Sequence, residues 1–294
     1  MNTIKHLFFF SVMFFLFTVT VLCDGFSSPL GPGAKEKDSY LGILLGFGQN
    51  IQNGEAVVNC KDCVFRDGLG FGYTFGFTYQ KQFARVDDDP FLSNFFYGAM
   101  LHLSNRNISP SYREIGTQDF SEYDISFPIT FRQINEITIM TAGLMPYISY
   151  YPIKYLFVRF GVDGSIVFNA NTKHTMELLD RRKTLPNGEV VDIYIPAGIN
   201  ANRKTYSTVR QDSPMDDLNR FQMSIVPMLG GNIYFSDKFL CSPSFSYHIP
   251  LQYIVSSSDL SISAWRLNVE FRYNLATSNR IYQSKEKPKV IRKR

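Results

Sequence analysis

The sequence predicts an all-β fold: an antiparallel, up-and-down β-barrel that crosses an outer membrane. Three observations carry that expectation. The first is the stretch 69–80, LGFGYTFGFTYQ, in which Leu69, Phe71, Tyr73, Phe75, Phe77 and Tyr79 alternate with Gly70, Gly72, Thr74, Gly76, Thr78 and Gln80. A strict period of two makes a strand with one apolar and one small or polar face. Such a strand, at about 3.3 Å per residue and tilted about 40°, crosses the hydrocarbon of a bilayer. Strands of soluble sandwiches run to only about five or six residues. The second is the N-terminus, where Lys5 and His6 precede an uncharged apolar run from Leu7 to Leu22. That is the layout of a secretory signal peptide, and it is short for a spanning helix. The third is composition: 15% aromatic and 19% charged, yet with a mean hydropathy of −0.10. Apolar helices do not fit that average, whereas alternating strands hide their hydrophobicity from it.

Taken in order, residues 1–23 read as the signal peptide, with cleavage after Cys23. A lipidated Cys23 is the rival reading, disfavoured by the bulky Leu22 before it. Residues 24–39 form a Gly-, Pro- and Lys-rich linker, 40–275 the barrel, and 276–294 a basic, disordered tail. Within the barrel the first strand spans 40–49, with Leu41, Ile43, Leu45 and Phe47 on one face. The others follow at 69–80, 94–104, 137–150, 154–169, 219–234, 239–251 and 264–275. The last is nearly as regular as the second, with Trp265, Leu267, Val269, Phe271 and Tyr273 outward and Arg266, Asn268, Glu270 and Arg272 inward. Pro243 and Pro250 predict bulges or breaks in the seventh strand.

One further segment, 123–132, also alternates, and counting decides its place. Barrels of this kind have short turns on the periplasmic side, long external loops and an even strand number. Leaving 123–132 out gives eight strands, with the long connections 51–68, 105–136, 170–216 and 252–262 on one side. The segment is therefore expected in a hairpin above the membrane; ten strands is the alternative.

The pattern resembles the OmpA-type outer-membrane barrels of the Bacteroidetes/Chlorobi/Ignavibacteria lineage. The resemblance rests on LGILLGFGQN, the pair Cys60-Lys-Asp-Cys63, GLGFGYTFGFTYQ, LMPYISYYPIKYLFVRFGVDGSI and SAWRLNVEFRYNL, and covers roughly residues 40–275. It implies an eight-stranded barrel in outer-membrane lipid, placed there by the barrel-insertion machinery. Two departures matter. Met145 stands before Pro146 where relatives often carry an acidic residue. Where many relatives continue into a peptidoglycan-binding domain, this sequence has ATSNRIYQSKEKPKVIRKR, so tethering by a folded domain is not carried over.

Candidate chemistry is sparse. Cys60 and Cys63, close together in an external loop of an exported chain, are expected to form a structural disulfide. A redox motif would need a thioredoxin-like setting, and a zinc site two more ligands. Arg159, Asp163, Arg266, Glu270 and Arg272 point inward by parity and are expected to form a charge network filling the lumen, because an unpaired buried charge costs several kcal/mol. The rival is a gated, charged pore, but eight strands leave an interior just filled by side chains. His102 and His248 are inward by parity, and His174 falls in the long loop. With no GxSxG or HExxH motif they are weak evidence for an enzyme. The run Asp87-Asp88-Asp89 lacks the spacing of a calcium loop.

The expected function is therefore a non-catalytic scaffold without cofactor or metal. Loop 170–216, long and mixed in charge, is its surface for a ligand. The tail offers weak contact with peptidoglycan or anionic lipid, and a net charge of +4 gives no reason to expect nucleic acid. A solute channel is the second reading, and an outer-membrane enzyme the third.

Overall fold

The computed structural model describes residues 38–275 apart from 58–63, 85–88, 121–124, 186–187, 197–203, 216, 237 and 256–257. The segments expected as signal peptide and basic tail, most of the expected linker, and both Cys60 and Cys63 lie outside the described residues.

The strands are β1 (Ser39–Asn53), the small hairpin β2 (Ala56–Val57) and β3 (Val64–Phe65), β4 (Leu69–Gln82), β5 (Phe95–Asn105), β6 (Ser111–Phe120), β7 (Ile125–Ile153) and β8 (Leu156–Leu178). Then come β9 (Arg182–Thr184), β10 (Val190–Asp192), β11 (Ile195–Pro196), β12 (Lys204–Thr205), β13 (Ser207–Pro214), β14 (Phe221–Gly231), β15 (Ile233–Tyr234), β16 (Phe239–Pro250) and β17 (Ser261–Asn274). Eight of them, β1, β4, β5, β7, β8, β14, β16 and β17, pair antiparallel with their neighbours in chain order. The last pairs with the first, Tyr40 opposite Asn274 through Asn53 opposite Ser261, so the sheet closes into a ring. These are the eight strands expected from the alternation.

Closure sorts the side chains by parity. On β4 the even positions from Gly72 to Gln82 are buried, whereas Phe71 is 66% and Phe77 51% exposed. Every ring strand repeats this, with Leu45, Leu101, Ile148, Phe160, Leu229, Ile249 and Phe271 all exposed on the outside. One end of the ring carries short connections: Lys154–Tyr155, 235–238, and 83–94 with a single 3-10 turn at Leu92–Asn94. Asp89 accepts hydrogen bonds from the Phe91 and Leu92 amides there, a turn-capping role. The long connections stand at the other end.

Three expectations need correction. The described part of segment 123–132, from Ile125 on, does belong to a hairpin outside the ring, β6 with the start of β7, but it is not separate from 137–150. One strand runs from Ile125 to Ile153. Loop 170–216 is largely folded: β8 continues to Leu178, so His174 is on a strand, and β9–β13 fill much of the remainder. The long ends of β7 and β8, flanked by β6 and β13, make a four-stranded extension rising beyond the ring. Finally, β16 passes through Pro243 and Pro250 with no register shift.

Candidate functional site

The interior is built in layers. Nearest the short-turn end, Tyr40, Phe96 and Leu240 pack with Tyr151 and Tyr234 into an aromatic floor. Above them lies the first ionic cluster, centred on Glu270. Its Oε2 sits 2.7 Å from Arg272 Nη2 and 3.2 Å from Arg159 Nη2. Its Oε1 accepts a 2.6 Å hydrogen bond from Thr78 Oγ1. Arg159 donates to Ser149 Oγ (3.0 Å) and Gln80 Oε1 (3.1 Å), and its guanidinium lies 4.0 Å from the Tyr147 ring centre. Arg272 donates to the Tyr151 hydroxyl at 2.9 Å. Two guanidiniums around one carboxylate, fully desolvated, hold strands β8 and β17 across the ring; charge-assisted bonds of this kind are the strong ones.

An apolar layer follows, from Leu44, Met100, Met145, Tyr147 and Val226. The second ionic cluster, centred on Asp163, sits above it. Asp163 Oδ1 is 2.8 Å from His102 Nε2, and Oδ2 is 3.2 Å from Arg106 Nη2. Ser224 Oγ donates to Oδ2 at 3.4 Å. Gly143 makes the pair fit, since a Cβ there would lie 2.7 Å from His102 Nε2 and 2.8 Å from Asp163 Oδ1. Arg266, close by, has oxygen partners that carry no charge. Its donors reach Asn50 Oδ1 (2.5 Å) and the carbonyls of Trp265 (2.9 Å), Asn105 (3.1 Å) and Gln49 (3.2 Å).

The long-loop end is closed by a cap. Ala56 and Phe65 of the β2–β3 hairpin, Ile108, Ile137, Ile139 and Val167 pack with Ile254, Leu260 and Ile262. A second apolar cluster, Ile129, Met176, Leu178, Ile193 and Ile195, holds the segment after β8 against the inner face of the extension.

The five inward charges are all buried inside the ring, but as two separate clusters plus Arg266, not as the single network expected. Arg106 and His102 complete the second cluster. Arg106 follows β5 directly, and its sequence neighbours give no alternation that would place it inside. His102 was visible by parity. So was Asp163, but their pairing was not, because cross-ring contacts depend on register. The constellation of His102, Asp163 and Ser224 holds the parts of a catalytic triad in an order that does not activate the serine. Ser224 and His102 both bind the carboxylate, whereas a nucleophile must bind the base itself. The His102 and Asp163 side chains are also 0% exposed. Cys241 is half-buried on the outward face of β16 and forms no disulfide among the described residues.

Among the described residues no group of three or more His, Cys, Asp or Glu side chains is placed to hold a metal ion. No protein-family model matches the chain, and no curated protein matches it. Among solved structures it is similar to the attachment invasion locus protein Ail of Yersinia pestis, with a TM-score of 0.28 and 11% identity over 80% of this chain and 99% of that one. It is similar also to Neisserial surface protein A (TM-score 0.30, 7% identity, 80% and 96% covered). A third is the outer membrane protease OmpT from Escherichia coli (TM-score 0.28, 10% identity, 84% and 100% covered). Likeness at this level assigns neither a family nor an activity, and the closed ring rests on the pairings of this chain's own strands.

Proposed function

We propose that this chain is an integral outer-membrane β-barrel that works as a non-catalytic, non-conducting scaffold, carrying its sheet extension and long connections outside the membrane. The single observation behind this reading is the outward belt. All eight ring strands expose large apolar residues, among them Phe47, Phe77, Leu101, Ile148, Phe160, Leu229, Ile249 and Phe271. A soluble protein does not leave so large a continuous apolar surface in water, whereas lipid requires one and requires the backbone to be closed on itself. Aromatic side chains crowd the short-turn end, where Phe83, Phe91, Tyr155 and Phe235 are exposed, as interfacial girdles do.

What supports a scaffold over a channel is the filled interior. Floor, two ionic clusters, apolar layer and cap succeed one another along the axis. A passage would have to separate pairs whose desolvated charges are costly to part. Two measurements test the reading. Unboiled protein from the outer-membrane fraction should run faster than boiled protein on a detergent gel, and planar bilayers should show only rare, small conductance events. A soluble periplasmic protein with no mobility shift would refute the barrel. Steady open-channel current would refute the scaffold and favour transport.

A further inference from the structure

At the long-loop rim, on the outside of the ring where β14 begins and β16 ends, lies an open groove of about 640 Å³. It is lined by Asn219, Arg220, Phe221, Leu251, Gln252 and Tyr253. Its walls are tied together: the Asn219 amide donates to the Ile254 carbonyl (2.8 Å) and the Leu251 amide to the Met223 carbonyl (2.9 Å). Asn219 Nδ2 donates to the Tyr253 carbonyl at 2.9 Å, and Leu218 bridges to Val255. Residue 220 is fixed by its own carbonyl, which accepts from the Val167 amide at 2.7 Å. The Arg220 side chain is exposed and makes no ion pair among the described residues. Directly beside it Phe221, Leu251 and Tyr253 are 52%, 50% and 54% exposed. Phe221 at the start of β14 and Leu251 just past the end of β16 extend the apolar belt to the rim, and Arg220 lines the same groove.

An unpaired guanidinium next to an apolar wall, with amides alongside, suits an amphiphile carrying an anion at its head. Guanidinium recognises phosphate by paired, charge-assisted hydrogen bonds. We infer that the groove holds one phosphorylated membrane lipid, its phosphate on Arg220 and the start of an acyl chain on Phe221 and Leu251. This inference rests on the membrane reading above.

The test is native mass spectrometry of the full chain in micelles, offered dioleoyl phosphatidate, dioleoylglycerol or inorganic phosphate. One phosphatidate should be retained. Arg220→Gln should weaken retention about five- to tenfold, while Arg113→Gln, an exposed cation on the extension, should not. Dioleoylglycerol should not be retained, and millimolar phosphate should not displace phosphatidate. Equal retention by Arg220→Gln, or equal retention of dioleoylglycerol, overturns the inference. So does full displacement by inorganic phosphate, which would mean an anion site and not a lipid site. Flotation with neutral-lipid liposomes reports the membrane reading separately. If neither wild type nor variant floats, that reading fails and the lipid site fails with it. If both float and retention is unchanged, only the lipid site fails.

Discussion

The hairpin of β7 and β8 passes through two environments, and its two halves carry opposite patterns. In the ring-forming half, β7 exposes Leu144, Ile148 and Tyr150 while Met145 and Ser149 are buried. In the extension, the outward positions are mostly polar (Arg132, Glu136 and Thr138, with Ile134 the exception), and the apolar Ile129, Ile137 and Ile139 turn inward. β7 makes the change by moving its apolar residues from even to odd positions. β8 makes it by a bulge: Thr141 pairs with Val167 and Met140 with Asn169, leaving Phe168 unmatched. Val158, Phe160 and Val162 face out below the bulge, whereas Met176 and Leu178 face in above it. The strand is the same on both sides of the switch; what differs is the medium outside. A strand in lipid needs an apolar outer face, and a strand in water an apolar inner one.

The largest effect comes from comparing ion pairs in the two halves. Glu270 holds Arg159 and Arg272 in the interior at 3.2 and 2.7 Å. Glu177, on the extension, lies 3.8 Å from Arg132 with both side chains well exposed. Removing the buried partner strands two desolvated cations, so Glu270→Ala should cost about 3–5 kcal/mol. Glu177→Ala should cost about 0–1 kcal/mol. Urea unfolding in micelles, followed by the heat-sensitive gel band, measures both. Comparable losses would mean that the interior is as wet as the extension.

Next in size is a charge placed on the outer face. Phe160→Arg puts a cation into the belt and should cost about 2–4 kcal/mol of membrane stability. Thr175→Arg, outward on the same strand beyond the bulge, should stay within about 0.5 kcal/mol. Liposome flotation and folding yield read out both. If Thr175→Arg proves the more harmful, the apolar-to-polar switch on β8 does not mark the membrane boundary.

That switch also explains what could be read in the sequence. All eight ring strands could be placed from the sequence, the clean period of two at 40–49, 69–80, 94–104 and 264–275 anchoring the less regular segments between them. Continuity of β7 was not legible. The alternation of Ile125, Phe127, Ile129 and Phe131 is out of phase with that of Leu144, Pro146, Ile148 and Tyr150, and a phase change reads as two strands. The upper part of β8, ANTKHTMEL at 170–178, is mostly polar because one face meets water and the other is capped by Thr172 and His174, so it reads as loop. Within the interior, parity gave direction but not partnership. Arg159 and Glu270 meet only because closure brings β8 and β17 across the ring, and no local pattern encodes that distance. Arg106 escaped entirely, since it lies one residue past its strand.

The smallest effect is a pH response confined to the extension. His174 is buried on the inner face of β8, its Nε2 2.9 Å from Gln133 Oε1. Burial, aided by Arg210 and opposed by Glu114, pushes its imidazole below the ordinary value of 6.5. The folded extension therefore keeps His174 neutral, while the unfolded chain takes up a proton as pH falls through about 6.5. Its contribution is present above that value and is lost on acidification. Asp180, just beyond β8, shifts in a lower window. The Thr130 amide donates to it at 2.9 Å and holds its carboxyl below the usual 3.8, so its contribution persists until pH falls below that point. Of these two groups, only His174 responds between pH 7 and 5. Hydrogen exchange, corrected for intrinsic rates, should show β13 amides losing about two- to fivefold protection over this range. The amides of β14, which pair with the lower half of β8, should be unchanged, and His174→Gln should remove the β13 response. A response that persists in His174→Gln, or that reaches β14 equally, would mean that the two halves of the hairpin open as one unit and that the bulge at Phe168 separates faces but not stabilities.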